Sequence, residues 1–279
     1  MIFRFPLKDV TILVTQQQQI ITDPLYSDEW QQINQNQFAL DIEGVAFYYA
    51  SNGNYIEICP YENYNQNALE LYLNGSVYGA ILHQRLILPL HGSCFKYKDI
   101  GIMLCGESGA GKSSVTASFS LNGAAFLTDD VTPLLFTTGK PQIWAMSDRI
   151  KLWSDSLKQL TLVKDGLHQI DSETEKFYFP INSDKGKLVP LHQIFLLGIH
   201  DELEVKLREL TGIEKFTALR SEIYRWEYLE GMPECEKRYF EQITCISKEV
   251  RVTKVLRPKE IGIEQFCGNL EKYIYSLKI

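Results

Sequence analysis

The chain has no Cys-x-x-Cys pair and no regular spacing among its six cysteines, Cys59, Cys94, Cys105, Cys235, Cys245 and Cys267. That argues against a disulfide framework and against a zinc site. No apolar run approaches the roughly 20 residues a membrane-spanning helix needs. The opening Met1-Ile2-Phe3-Arg4-Phe5-Pro6 lacks the charged-then-apolar layout of a signal peptide. The expectation is a cytoplasmic protein with no membrane partner. There is no basic excess either: the formal net charge is −7, which speaks against nonspecific nucleic-acid binding. Internal repeats and Pro- or Ser-rich linkers are also missing. What remains, 279 residues with 45% hydrophobic and 23% charged content, is ordinary for a globular chain of one large or two small domains.

Against that background one stretch stands out. Gly106-Glu107-Ser108-Gly109-Ala110-Gly111-Lys112-Ser113 has the G-x-x-x-x-G-K-S spacing of a phosphate-binding loop. It follows the apolar run Ile100 to Cys105 and leads into Ser114-Val115-Thr116-Ala117-Ser118-Phe119, a helix opening. The glycines permit tight, partly left-handed turns that aim backbone N–H groups at an anion. The helix N-terminus adds partial positive charge, Lys112 a full charge, and the Ser113 hydroxyl a ligand for Mg²⁺. The motif predicts a nucleotide or pyrophosphate held by Gly106 through Ser114.

Before the loop the chain reads as β-rich. Val10 to Val14 is a β-branched run, Gln16 to Gln19 a solvated loop, and Val45 to Cys59 a hairpin turning at Asn52-Gly53. Asn67 is positioned to cap a helix through Leu82, with Gly75 and Gly79 weakening it or marking a close contact. Leu86 to Phe95 is strand-like. The loop helix ends near Leu121-Asn122-Gly123. Strands are expected at Ala124–Thr128, 131–136, 142–146, 150–153, Lys176–Pro180 and 191–198. Then come helices 214–228 and 234–248, a strand at 250–256 and a closing helix over 262–277. The predicted organisation is a β-rich region 1–66, a phosphate-loop core 67–210 and a mostly helical part 211–279.

The second informative feature is Thr128-Asp129-Asp130-Val131. Two adjacent acids at the end of an apolar strand need a cation or polar partners. In phosphate-loop proteins a strand-end aspartate holds Mg²⁺ beside the loop hydroxyl, and a neighbouring carboxylate can take a proton from an attacking hydroxyl. Because strand, loop, helix and strand follow without interruption, the acids are expected on a strand beside the loop's own. His83, His168, His192 and His200 have no metal-ligand spacing.

Leu88-Pro89-Leu90-His91-Gly92-Ser93, the phosphate loop and Asp129-Asp130 together resemble the kinase domain of HPr serine kinase/phosphorylase. The pattern is more similar to HPr-kinase-related proteins such as lasso-peptide precursor kinases. Ile150 to Leu157, Glu175 to Pro180 and Val189-Pro190-Leu191 also resemble that subgroup, so the likeness covers about Leu69 to Gly198. It implies an α/β fold: a phosphate-loop core of the HPr-kinase/PEP-carboxykinase type, a β-rich, α+β N-terminal part and a helical C-terminal part. It implies ATP and Mg²⁺ as cofactors, and closed homo-oligomers as in HPr kinases. Residue by residue, Asp129 would be the general base, His91 its assistant and Lys112 the bridge to the transferred phosphate. Ser113 and Asp130 would ligate the metal, and Arg149, Lys151 and Lys176 would contact phosphates or the acceptor's carboxylate. The chain departs from HPr kinase/phosphorylases in having no E-[LIV]-R-G-[LIV]-G run after Asp130, which argues against HPr as substrate and against the reverse reaction.

The resulting expectation is a serine kinase acting on a peptide or small protein, best matched by the C-terminal serine of a lasso-peptide precursor. An HPr(Ser) kinase-like regulator of carbohydrate uptake, a kinase of free serine or a sugar, and an ATPase switch are the alternatives. Neither an N-K-x-D guanine motif nor an ABC-type signature is present.

Overall fold

Period-two burial shapes the first part of the chain, as the hairpin reading requires. The computed structural model describes residues 3–137, 139–170 and 174–277. Met1 and Ile2, where the N-terminal reading starts, and the last two residues of the expected C-terminal part lie outside the described residues. The chain divides into two units: one runs to Leu90 and includes Ile223–Ile243, the other comprises His91–Glu222 and the chain from Thr244 onward. These divisions differ from those read at 66/67 and 210/211.

The first unit is a six-stranded sheet of β1 (Thr11–Val14), β2 (Tyr26–Ser27), β3 (Gln31–Asn34), β4 (Gln37–Ile42), β5 (Ala46–Ser51) and β6 (Tyr55–Pro60), in the order β1-β6-β5-β4-β3-β2. Asn52 and Gly53 both take positive φ, 52° and 69°, the backbone that a tight hairpin between β5 and β6 demands. Helix α1 (Gln66–Tyr72), a π-helical turn over Leu73–Val77 and α2 (Tyr78–Gln84) follow. Their apolar face, including Leu69, Leu73, Val77 and Ile81, is fully buried. The Tyr48 hydroxyl of β5 donates to the Leu69 carbonyl at 3.0 Å. This burial is why the helix joins the N-terminal sheet and not the phosphate-loop core. Asn65, not Asn67, is the cap: its side chain accepts from the N–H groups of Asn67 and Ala68 at 2.8 and 3.1 Å, the geometry an N-cap requires. Gly79 marks a close contact, since a Cβ there would lie 3.0 Å from the Tyr224 ring. Strand β7 (Leu88–His91) ends the first stretch of this unit.

The second unit is built on β8 (Ser93–Tyr97), β9 (Ile100–Gly106), helix α3 (Lys112–Leu121), β10 (Ala125–Thr128), β11 (Val131–Leu135), β12 (Gln142–Trp144), β13 (Arg149–Trp153), α4 (Ser154–Gln159), β14 (His168–Gln169), β15 (Lys176–Pro180), β16 (Leu188–His200), β17 (Lys206–Glu209) and α5 (Gly212–Ser221). A 3₁₀ turn at Trp226–Glu230 and most of α6 (Pro233–Glu249) belong to the first unit, and β18 (Arg251–Pro258) and α7 (Ile263–Ser276) complete the second. Parallel strands β9, β16 and β18 form the centre, with β16 between the other two. Their carboxyl ends therefore share one edge, where ligands of open α/β sheets collect. Helices α3 and α7 cover one face, packing Val115, Phe119, Phe266, Leu270 and Ile274 onto Phe95, Ile102, Leu104, Phe195 and Val255. The other side of α3 contributes Ala117 to a second cluster with Ile150, Leu152 and Phe177 of a three-stranded sheet, β13-β15-β14.

Two expectations are corrected here. The strand before the acids, β10, does not lie beside β9; it pairs with β8, and β8 with β9. The cause is the tight turn at Lys98-Asp99, whose φ values of 48° and 63° fold β8 back along β9. The single helix expected over 214–228 ends at Ser221. Ile223 then bridges to Leu90 and Arg225 adopts φ 53°, which no helix accepts. The short, largely exposed β17, paired with β18, was not anticipated. Among the described residues no helix is long and apolar enough to cross a membrane.

Candidate active site

The phosphate loop folds as its glycines dictate. Gly106, closing β9, has φ 124°, and a Cβ there would sit 2.2 Å from the Leu197 carbonyl oxygen. Gly109 and Gly111 have φ 85° and 103°. Gly111 then stands at the N-terminus of the ten-residue α3. The Lys112 ammonium bends back over the loop and donates to the carbonyls of Gly106 and Glu107 at 2.6 and 3.1 Å. Burial pulls it below the usual lysine range. The Gly106 N–H donates to the Glu222 carboxylate at 3.3 Å, and burial raises that acid above the ordinary glutamate value.

The acid pair reaches the loop although its strand is one removed. Ser113 Oγ donates to Asp129 Oδ1 at 2.9 Å, and the Lys151 backbone N–H to Asp129 Oδ2 at 3.0 Å. Asp130 takes the other side: its Oδ2 receives Lys151 Nζ at 2.7 Å. Asp130 has φ 72°, an uncommon left-handed backbone that Asp tolerates better than most residues. Its carbonyl accepts the Gly92 N–H at 3.1 Å, which ties the turn to the segment carrying His91. Burial would raise the Asp130 pKa, but the charge and hydrogen bond of Lys151, then His91 and Lys176, hold it well below the carboxylate range. Burial and then the Lys112 charge lower His91, while Asp130 and Asp129 act in the opposite direction.

These groups line one cleft of about 260 Å³. His91, Ser108, Gly109, Gly111, Lys112, Ser113, Ser114, Asp129, Asp130, Lys151 and Lys176 all face it. Gly106, Glu107 and Ala110 instead line a cavity on the loop's other flank. Arg149 is not among the cleft residues; its guanidinium lies 3.8 Å from the centre of the Tyr178 ring. Lys176 lies over Trp153, 5.4 Å from the ring centre. Ser114, expected in the loop site, shares a hydrogen bond with Ser156 at 2.7 Å.

The structure adds wall residues that the sequence did not single out: Arg257 and Lys259 from the end of β18, Ile261 and Ile263 beyond it, Phe266 of α7, and Trp153, Ser156 and Gln159. The signal for Arg257 was available, because a cation directly after a buried strand belongs at the carboxyl edge once that strand is parallel to β9. His83, fully buried, contacts the Tyr239 hydroxyl and the Tyr224 carbonyl at 3.0 and 2.9 Å.

No family model matches the chain, and no curated protein matches it. Among solved structures it is similar to the HPr(Ser) kinase/phosphatase from Coxiella burnetii, at 13% identity over 67% of this chain and 88% of that one, with a TM-score of 0.35. A likeness that shallow leaves the site's own geometry to decide what the chain does.

Proposed function

We propose that the chain is an ATP- and Mg²⁺-dependent kinase that transfers the γ-phosphate to a serine hydroxyl of a peptide or small protein. The observation that carries this reading is the Ser113–Asp129 hydrogen bond with Asp130 beside it. It joins a phosphate cradle to two carboxylates in one cleft, the pairing phosphoryl transfer uses. Among the described residues no cluster of three or more His, Cys, Asp or Glu could hold a metal alone. One hydroxyl and two carboxylates fit Mg²⁺, which takes most of its ligands from phosphates and water. Bound there, Mg²⁺ would neutralise charge on the phosphate oxygens.

The contact of Ser113 with Asp129 supports the reverse of the allocation read from the sequence. Ser113 and Asp129 would hold the metal, and Asp130 would accept the proton of the attacking hydroxyl, with His91 close enough to tune it. Lys112 would swing from the loop carbonyls to the phosphates. Lys176, with Lys151 behind Asp130, gives the acceptor side a positive field suited to a carboxylate. That supports a serine at a peptide C-terminus, as in a lasso-peptide precursor.

Incubation with ATP, Mg²⁺ and serine-containing peptides, free or blocked at the C-terminus, tests the reading by mass. A phosphate adduct on the free-carboxylate peptide is expected; no adduct on any peptide, on HPr or on free serine overturns it. Asp130→Asn should keep nucleotide binding and lose at least about 10²-fold in transfer, the scale of general-base catalysis. Asp129→Asn should chiefly raise the Mg²⁺ requirement. If the two phenotypes are exchanged, the allocation reverts to Asp129 as base.

A further inference from the structure

We infer that Arg257 is a positioning residue that holds the phosphate loop in its anion-binding shape; this rests on the nucleotide-site reading above. Arg257 ends the parallel strand β18, two strands from the loop's own, paired in register with Ile199 of β16. Its Nε donates to the Ala110 carbonyl at 2.9 Å and its Nη2 to the Gly109 carbonyl at 3.1 Å. Its Nη1 donates backward to the carbonyls of Pro258 and Lys259 at 3.1 and 3.3 Å. One face of the guanidinium fork is thus anchored on its own strand end, and the other grips two consecutive peptide carbonyls of the loop.

The consequence follows from peptide planarity. A trans peptide sets its C=O and N–H in opposite directions. Fixing the Gly109 and Ala110 carbonyls toward Arg257 therefore turns the N–H groups of Ala110 and Gly111 away from it. Gly109 and Gly111, with φ 85° and 103°, have little intrinsic preference for that backbone over others. Within the loop the Ala110 N–H donates to the Glu107 carbonyl at 3.2 Å, and a group outside the loop supplies a second restraint. Lys112 cannot be that group, since it is needed at the phosphates. Arg257 makes its four bonds from within the cleft wall, and the flat fork suits two adjacent carbonyls in a way an ammonium cannot reproduce. A pre-set cradle binds the ground-state nucleotide, so the residue should govern nucleotide affinity more than the chemical step.

The test compares Arg257→Lys and Arg257→Gln with the wild-type protein by binding of a fluorescent ATP analogue with Mg²⁺ and by amide hydrogen exchange. Both variants should weaken nucleotide binding by roughly tenfold or more, the scale of losing charge-assisted hydrogen bonds. Lysine should fail to rescue, and KM for ATP should rise more than kcat falls. Exchange in the 107–112 segment should quicken while other β-strand segments keep their protection, a pattern that general destabilisation would not produce. Variants binding within twofold of wild type, or exchange that quickens everywhere equally, would overturn the inference. If the wild-type protein itself binds no nucleotide, the functional reading falls, and this one with it.

Discussion

At the scale of single residues, the site is a set of charges each held in place by a specific partner. Lys151 is the clearest case, because it serves both acids: its backbone N–H goes to Asp129 and its ammonium to Asp130. Only the second contact depends on the side chain. Lys151→Met therefore removes the cation that holds the Asp130 carboxyl below its usual range and leaves a partly buried acid without it. The sign is unambiguous: the Asp130 pKa rises. The acidic limb of the kcat–pH profile should move upward by at least about one unit, the size of a lost close charge partner, while Asp129 keeps its backbone donor. An unmoved limb would show that Asp130 is not the titrating group.

At the scale of elements, the phosphate loop and its flanks were legible because local chemistry alone determines them. The strand from Ile100, the loop and a helix ending at Leu121 stand where the residues placed them. Gly106 shows how tight that determination is, with left-handed backbone and a carbonyl oxygen where a side chain would begin. Gly106→Ala should destabilise the protein by about 3 kcal/mol or more, since backbone strain alone costs about 1–3 kcal/mol before the clash with Leu197. Denaturant titration checks this, and nucleotide binding should be lost with it. Legibility failed where a distant element decides. Nothing local says that β8 intervenes between β9 and β10, because that depends on the turn at Lys98-Asp99 choosing its hand. The cap was read at Asn67 and stands at Asn65, because the choice depends on which backbone N–H groups each asparagine faces. Arg257 lies 146 positions after Gly111 and meets the loop only through the order of three parallel strands. The acid pair does reach the loop hydroxyl, although the strand carrying it was placed one position too close.

At the scale of the whole molecule, the two units lose stability to acid in different pH windows. The first buries His83 completely among Tyr224, Tyr228 and Tyr239. Burial pushes its pKa down to about 4, with the Tyr224 carbonyl acting the other way. A depressed histidine gives its full contribution above the unfolded value and loses it as pH falls through about 6.5 toward the folded one. Between about pH 7 and pH 4.5 the first unit should lose on the order of 2 kcal/mol of stability by proton linkage. The second unit's Asp130, depressed below the carboxylate range, releases its contribution only under stronger acid. Denaturant unfolding at the two pH values measures the difference, and His83→Gln should flatten it at some cost in stability at pH 7. A slope unchanged by that substitution would assign the sensitivity elsewhere.

The left-handed backbone at Asp130 imposes two filters on one codon. The first is conformational and passes Asp, Asn and Gly. The second is chemical and passes only an acid. Glutamate satisfies the chemistry and fails the conformation; asparagine does the reverse. Asp129 is under no such double filter, since no positive φ is found there. A saturation library scored for phosphorylation should accordingly accept glutamate at position 129 more readily than at 130, making two adjacent and identical letters unequal in what can replace them.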